Sequence, residues 1–180
     1  LGGLRINPVT NISSSLTYIT NLKIKKVKDK DETQVKGLPK GAKIAYTTLS
    51  PDEKKLAFTN TTDKGVELWV LDLASSTATK LVADQLNANL GMPYLWYKDS
   101  KNLLIKTIPT DKPKLIDSSK DLPAGPTVST ADGKVSQNRT YQDLLKNPQD
   151  ETNFETLTKA DLKKVNLNGD ITEEKTADLY

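Results

Sequence analysis

The sequence predicts an all-β chain, a partial β-propeller of about two to three four-stranded antiparallel blades with an insertion of loop and short helix. Three observations carry this. Residues 96–105 repeat the pattern of residues 49–58 at an offset of 47, placing Asp99 on Asp52, Lys101 on Lys54, Leu103 on Leu56 and Ile105 on Phe58. Residues 22–27 match residues 68–73 at an offset of 46. A period of about 40–50 residues with four short strands per unit is the mark of propeller blades. Within the run 66–73, Val66, Leu68 and Val70 fall on one face and Trp69, Leu71 and Leu73 on the other. A strand that is apolar on both faces is packed on both faces.

The elements follow in order. The match at 22–27 supplies part of a first, incomplete unit. Residues 45–49 form a strand that leads into Ser50-Pro51-Asp52, where proline presets φ and the Ser and Asp side chains bond nearby amides. Strand 56–60 leaves that turn, the polar stretch 61–65 reverses the chain into 66–73, and Ser75-Ser76 turns it into a fourth strand at 79–82. The second unit starts at 96–105, with its turn at Lys98.

An insertion is expected from 109 to 158, opening with Pro109, Pro113, Pro123 and Pro126 in extended sequence. It continues with a helix over 139–148, capped by Thr140 and carrying Tyr141, Leu144 and Leu145 on one side, and a second short helix over 150–159 with Phe154 and Leu157 at i, i+3 spacing. Residues 161–167 and 170–174 then form a hairpin with a type I′ turn at Asn168-Gly169, the third and fourth strands of the second unit. Long inserts on repeat scaffolds decorate a functional face. Units of this length leave room for half a blade, two full blades and a beginning, whereas closed propellers have about four to eight blades. Residues 1–180 are thus expected to be a fragment of a propeller domain.

Composition limits the chemistry. With no histidine and no cysteine among 180 residues, the chain has no imidazole base, no thiolate nucleophile, no zinc site of the usual ligands and no disulfide. No catalytic residue, metal or cofactor is expected within it. Asp52 and Asp99 hold equivalent turn positions and read as structural, not as a catalytic pair. Residues 166–170, Asn-Leu-Asn-Gly-Asp, lack the remaining ligand spacing of a calcium loop and read as a turn. Trp69 and Trp96 read as packing between blades. Asn11, Asn60 and Asn138 each begin an Asn-x-Ser/Thr triplet, which a threonine-rich sequence produces by chance.

The 26 basic and 23 acidic side chains are mixed along the chain, leaving a net charge of +3 and no basic stripe, so nucleic acid is not an expected partner. No apolar run reaches the roughly 20 residues of a membrane-spanning helix. The first residues have no signal-peptide layout, and the chain reads as an internal piece. Strand faces left open at the ends of such an array are expected to drive self-association.

Three stretches together resemble a known family. They are Gly3-Leu-Arg-Ile-Asn-Pro-Val-Thr-Asn11; the Ser-Pro-Asp segment from Ser50 to Thr62 together with Glu67-Leu-Trp-Val-Leu-Asp72; and Arg139-Thr-Tyr-Gln-Asp-Leu-Leu-Lys-Asn-Pro148 followed by Asp150-Glu151. They resemble the propeller domain of the prolyl oligopeptidase family of serine peptidases, in the branch of the glutamyl endopeptidases. The resemblance implies a separate α/β-hydrolase domain in the same chain, a peptide substrate, and a propeller that gates access and lends side chains to the substrate cavity. It also implies an exported protein, periplasmic or secreted in bacteria, or a plastid one. The family's catalytic positions have no counterpart, because the sequence has neither a Gly-x-Ser-x-Gly elbow nor a histidine. This segment by itself is expected to be inert.

Arg5 and Arg139 are the only arginines, and both fall inside these motifs. A guanidinium forks onto carboxylates, which marks them as candidate substrate-binding residues, the alternative being that each pins its own loop. Two other functions stay open at this point: a stand-alone binding module of the TolB or WD-repeat kind, though the Gly-His dipeptide of the latter is absent, and a carbohydrate-active propeller enzyme.

Overall fold

The structure, a computed structural model, describes residues 3–28, 30–117, 145 and 147–173. Two four-stranded antiparallel sheets follow one another along the chain, each with its strands in sequence order. The first consists of β5 (Ile44–Leu49), β6 (Lys55–Thr61), β7 (Val66–Asp72) and β8 (Thr77–Val82). The second consists of β9 (Tyr94–Trp96), β10 (Asn102–Thr107), β11 (Asp161–Asn166) and β12 (Ile171–Glu173), with α1 (Pro148–Thr158) between β10 and β11. Ahead of them lie two short pairs, β1 (Ile6–Asn7) with β2 (Ile12–Ser13) and β3 (Lys23–Ile24) with β4 (Thr33–Gln34).

The two faces of β7 organise the core as its sequence predicts. Val66, Leu68 and Val70 bury one face against Tyr94, Leu103, Ile105 and Val165 of the second sheet. On the other face Leu71, with Trp69 and Leu73, packs with Val35, Leu22 and Ile24 of the β3–β4 unit. The first sheet is therefore sandwiched between the half unit and the second sheet, the serial face-to-face stacking of propeller blades. Each fully buried aliphatic side chain contributes about 1.5–3 kcal/mol relative to exposure, so these two apolar layers dominate the stacking. Trp69 stacks on Phe58 with ring centroids 6.3 Å apart, and the Trp96 indole donates to Thr48 O at 3.3 Å, so both tryptophans serve packing.

The repeat extends to backbone conformation. Glu53 and Ser100, 47 residues apart in sequence, both adopt positive φ, at 56° and 55°. In each turn an aspartate accepts from amides beyond it: Asp52 from Lys54 N, Asp99 from Lys101 N and Asn102 N. The turns also touch, since Asp52 N donates to Ser100 Oγ at 3.0 Å. These hydrogen bonds hold both carboxyls below the usual carboxylate range, Asp52 chiefly through the Ser50 hydroxyl and Asp99 chiefly through the Lys101 amide.

Three local expectations are corrected. The strand expected over 22–27 is only Lys23–Ile24, because the lysine-rich stretch after it finds no pairing partner and Val27 is fully exposed. The turn between β11 and β12 is not type I′: among its residues only Gly169 has positive φ, at 89°. Gly169 N instead bonds Asn166 O, Asn166 N bonds Asp170 O, and the Asn166 side chain accepts from Asn168 N and Asp170 N, a type I turn closed by a glycine bulge. Pro148 begins α1 rather than ending a preceding helix, because Asn147 accepts from Asp150 N as its cap and proline suits the first helical position. The triplet asparagines Asn11 and Asn60 are buried, at 5% and 4% exposure, and the Asn60 amide donates to Glu67. The helix expected over 139–148, apart from Leu145 and its last two residues, and Pro123, Pro126, Asn138, Tyr141 and Leu144 lie outside the described residues.

Candidate functional site

At the end of the sheets opposite the Ser50 and Lys98 turns, three irregular segments converge: the β1–β2 hairpin, the connection 83–93 between the sheets, and the chain inserted between β10 and β11. Each is shaped locally by asparagine chemistry. In the hairpin, Asn7 Oδ1 accepts from Val9 N and Thr10 N, Pro8 follows in the turn, and Asn11 closes it at a φ of 54°. The turn drives Ile12 into the core between the sheets, where it is 1% exposed and bridges to Ala88. Asn11 O accepts from Ala88 N at 2.9 Å, tying the hairpin to the connection.

The residues on either side of Ala88 hold the insertion. Asn87 Nδ2 donates to Leu157 O at 3.1 Å and Lys159 O at 2.8 Å, and Asn89 Nδ2 donates to Leu157 O at 2.7 Å. Asn89 N in turn donates to Asn87 Oδ1 at 3.1 Å, fixing the first asparagine's orientation. These amides satisfy carbonyls at the end of α1 that no basic side chain of the last turn neutralises. At the middle of α1, Asn153 accepts from Ile116 N at 2.8 Å and donates to Ile116 O at 2.9 Å.

Two lysines face this end without a carboxylate partner among the described ion pairs. Lys112 Nζ donates to Asn11 Oδ1 at 2.7 Å, and Lys106 Nζ donates to Leu90 O. Burial lowers both pKa values, since desolvation disfavours the ammonium. Between the start of the insertion and α1 runs a cleft of about 220 Å³ lined by Pro109, Asp111, Lys112, Thr152, Glu155 and Lys159. The site offers amide donors, ammonium groups and carboxylates, the means of binding polar chain. Among the described residues no three acidic, cysteine or histidine side chains stand together as a metal site.

Of the sequence candidates, Arg5 stands one residue before β1, exposed, with its carbonyl accepting from Ser14 N at 2.7 Å. Arg139 lies outside the described residues. Sequence reasoning missed Asn87, Asn89, Lys112 and Asn153. A signal existed for the first pair, because Leu86-Asn-Ala-Asn-Leu90 alternates amides with apolar residues where a surface loop has no need of them.

Over its whole length the chain is 32% identical to the probable chloroplastic glutamyl endopeptidase of Arabidopsis thaliana. Over 95% of its length it is 31% identical to the probable chloroplastic glutamyl endopeptidase of Oryza sativa subsp. japonica. The chain is a propeller segment of this glutamyl endopeptidase-like kind. It spans 20% and 19% of those two relatives. No protein-family profile matches it. Among solved structures, an acylaminoacyl peptidase from Pyrococcus horikoshii is similar over 57% of this chain and 15% of its own, at 23% identity and a TM-score of 0.37. TolB from Acinetobacter baumannii is similar over 94% of this chain and 29% of its own, at 13% identity and a TM-score of 0.42. At these scores neither adds to what the sheets themselves show. In this glutamyl endopeptidase-like segment the first motif, Gly3 to Asn11, is the β1–β2 hairpin, and the third ends in the Asn147 cap and Pro148 that start α1.

Proposed function

We propose that the chain is the non-catalytic propeller segment of a serine peptidase, limiting and guiding peptide access to an α/β-hydrolase domain elsewhere in a longer polypeptide. The observation that supports this reading is end-to-end similarity to glutamyl endopeptidases in a segment with no histidine to serve as their base. The end carrying the hairpin, the Asn87–Asn89 connection and α1 faces the incoming peptide, and Arg5 at the root of the hairpin receives a substrate carboxylate, with Arg139 as its companion. Residues 109–158 act as an insertion on that face. The open face of the second sheet, where Leu95 is 59% exposed and pairs in register with Leu104, lets the isolated chain self-associate at micromolar concentration.

The test is made on the longer polypeptide. With this segment in place, cleavage of peptides falls off with substrate length; with α1 deleted, long substrates are cleaved at rates approaching those of short ones. Length dependence unchanged by the deletion, or no serine-inhibitor-sensitive hydrolysis at all, overturns the proposal.

A further inference from the structure

The side-chain amides of Asn153 and Asn89 both bond main chain, and they differ in one respect. Asn153 engages both the N–H and the C=O of Ile116, using both ends of its amide. Asn89 makes only half of that pattern: its Nδ2 donates to Leu157 O, while its Oδ1, in a side chain 7% exposed, has no partner among the described residues. An unpaired buried acceptor forfeits the water it gave up and is selected against in ordinary cores. Beside it Asn87 donates to two carbonyls of the same stretch, Leu157 O and Lys159 O, where the chain passes from helix to extended backbone at Lys159, with φ −58° and ψ 135°. Together the pair presents donors and one unused acceptor to a length of peptide main chain.

What occupies them is weakly held by other means. Of the eleven residues of α1 only Thr156 and Leu157 are buried, so little apolar surface fixes the helix against the sheets. We propose that Asn87 and Asn89 form a binding site for peptide main-chain carbonyls, occupied in cis by those of Leu157 and Lys159 at the end of α1, and that a peptide able to satisfy both ends of the Asn89 amide displaces them. The ligand class is unmodified polypeptide backbone, recognised irrespective of side chain, because every contact shown at the site is to a carbonyl. This stands apart from the peptidase reading, since the displacement is a property of the chain itself.

The probe is a capped peptide copying residues 155–161, titrated into the isotopically labelled chain while the side-chain NH₂ signals of Asn87 and Asn89 are followed by NMR. Leu157→Ala and, separately, Asn153→Ala loosen α1, and hydrogen exchange of its amides measures how far it has opened, with β6 and β7 amides as the control for folding. A competing internal occupant lowers apparent affinity by the fraction of time it is bound, so a tenfold gain in α1 opening tightens the peptide by about tenfold. Asn89→Asp, which turns the donor into a carboxylate facing a carbonyl, abolishes the gain. The proposal is overturned if α1 opens in either loosened variant and the peptide binds no more tightly than to the parent chain, if Asn89→Asp leaves binding unchanged, or if α1 stays as protected as β6 in both variants.

Discussion

Tyr94→Phe removes one oxygen from the seam between the two sheets, and its consequence can be worked from the geometry. Tyr94 is 1% exposed, and its ring belongs to the apolar layer that phenylalanine fills equally well. Its hydroxyl accepts from Thr48 Oγ1 at 3.1 Å and shares its one proton between the carbonyls of Tyr46 and Ala57, the latter at 2.8 Å. The Tyr46 carbonyl is turned toward the seam because β5 bulges between Ala45 and Thr48, with Tyr46 in the left-handed region at a φ of 48°. Deleting the hydroxyl takes a partner from the part-buried threonine donor and bulge carbonyl and from the fully buried Ala57 carbonyl. At about 1 kcal/mol per net hydrogen bond, with an added cost for a stranded polar group, the loss is about 2–3 kcal/mol. Urea denaturation followed by tryptophan fluorescence reads this directly. With a slope of about 2 kcal/mol per molar for a domain of this size, the midpoint falls by about 1 M with the slope unchanged. A midpoint within about 0.2 M of the parent would refute the seam argument, because the phenol would then be replaceable by packing alone.

The same phenol sets a pH dependence. Burial raises its pKa well above the ordinary value of about 10, so the unfolded state releases the proton first, and stability, fully present below about pH 10, is lost as pH rises beyond it; chemical denaturation from pH 8 to 11 shows the fall, reduced in Tyr94→Phe. Glu67 is buried and accepts from Asn60 Nδ2 at 2.9 Å, Trp69 Nε1 at 2.8 Å and Lys80 Nζ at 3.0 Å, so Glu67→Ala strands the buried Asn60 donor and the part-buried Trp69 donor and costs about 2–4 kcal/mol, seen as a lowered thermal midpoint. Gly37 has a φ of 76° and a hypothetical Cβ only 2.5 Å from Ala78 O, so Gly37→Ala breaks the contact of the half unit with β8 and destabilises by at least about 1 kcal/mol, with faster hydrogen exchange at Lys36 and Ala78; unchanged exchange there would contradict the steric reading. In the purified chain, peptide amides and esters are hydrolysed no faster than background, and hydrolysis that survives rigorous purification and is blocked by a serine-directed inhibitor would overturn this.

The sequence by itself determined the parts of this protein that rest on periodicity. The two apolar faces of 66–73 alternate residue by residue, so strand geometry alone dictates that Val66, Leu68 and Val70 look one way and Trp69 and Leu71 the other. The turns at 50–55 and 97–102 repeat because the same aspartate-to-amide bonds are encoded locally in each. Only the tertiary structure decided the end of the molecule where its candidate site lies. Lys112 meets Asn11 across 101 positions of sequence, and Asn87 meets Leu157 across 70. Such contacts join a side chain to a carbonyl or amide wherever the packed sheets bring them together, and they leave no period in the sequence to read. For the same reason the turn after β11 escaped the Asn-Gly rule: whether Asn168 takes a positive φ depends on the Asn166 side chain filling the loop from within, and that is settled by the folded geometry of the hairpin.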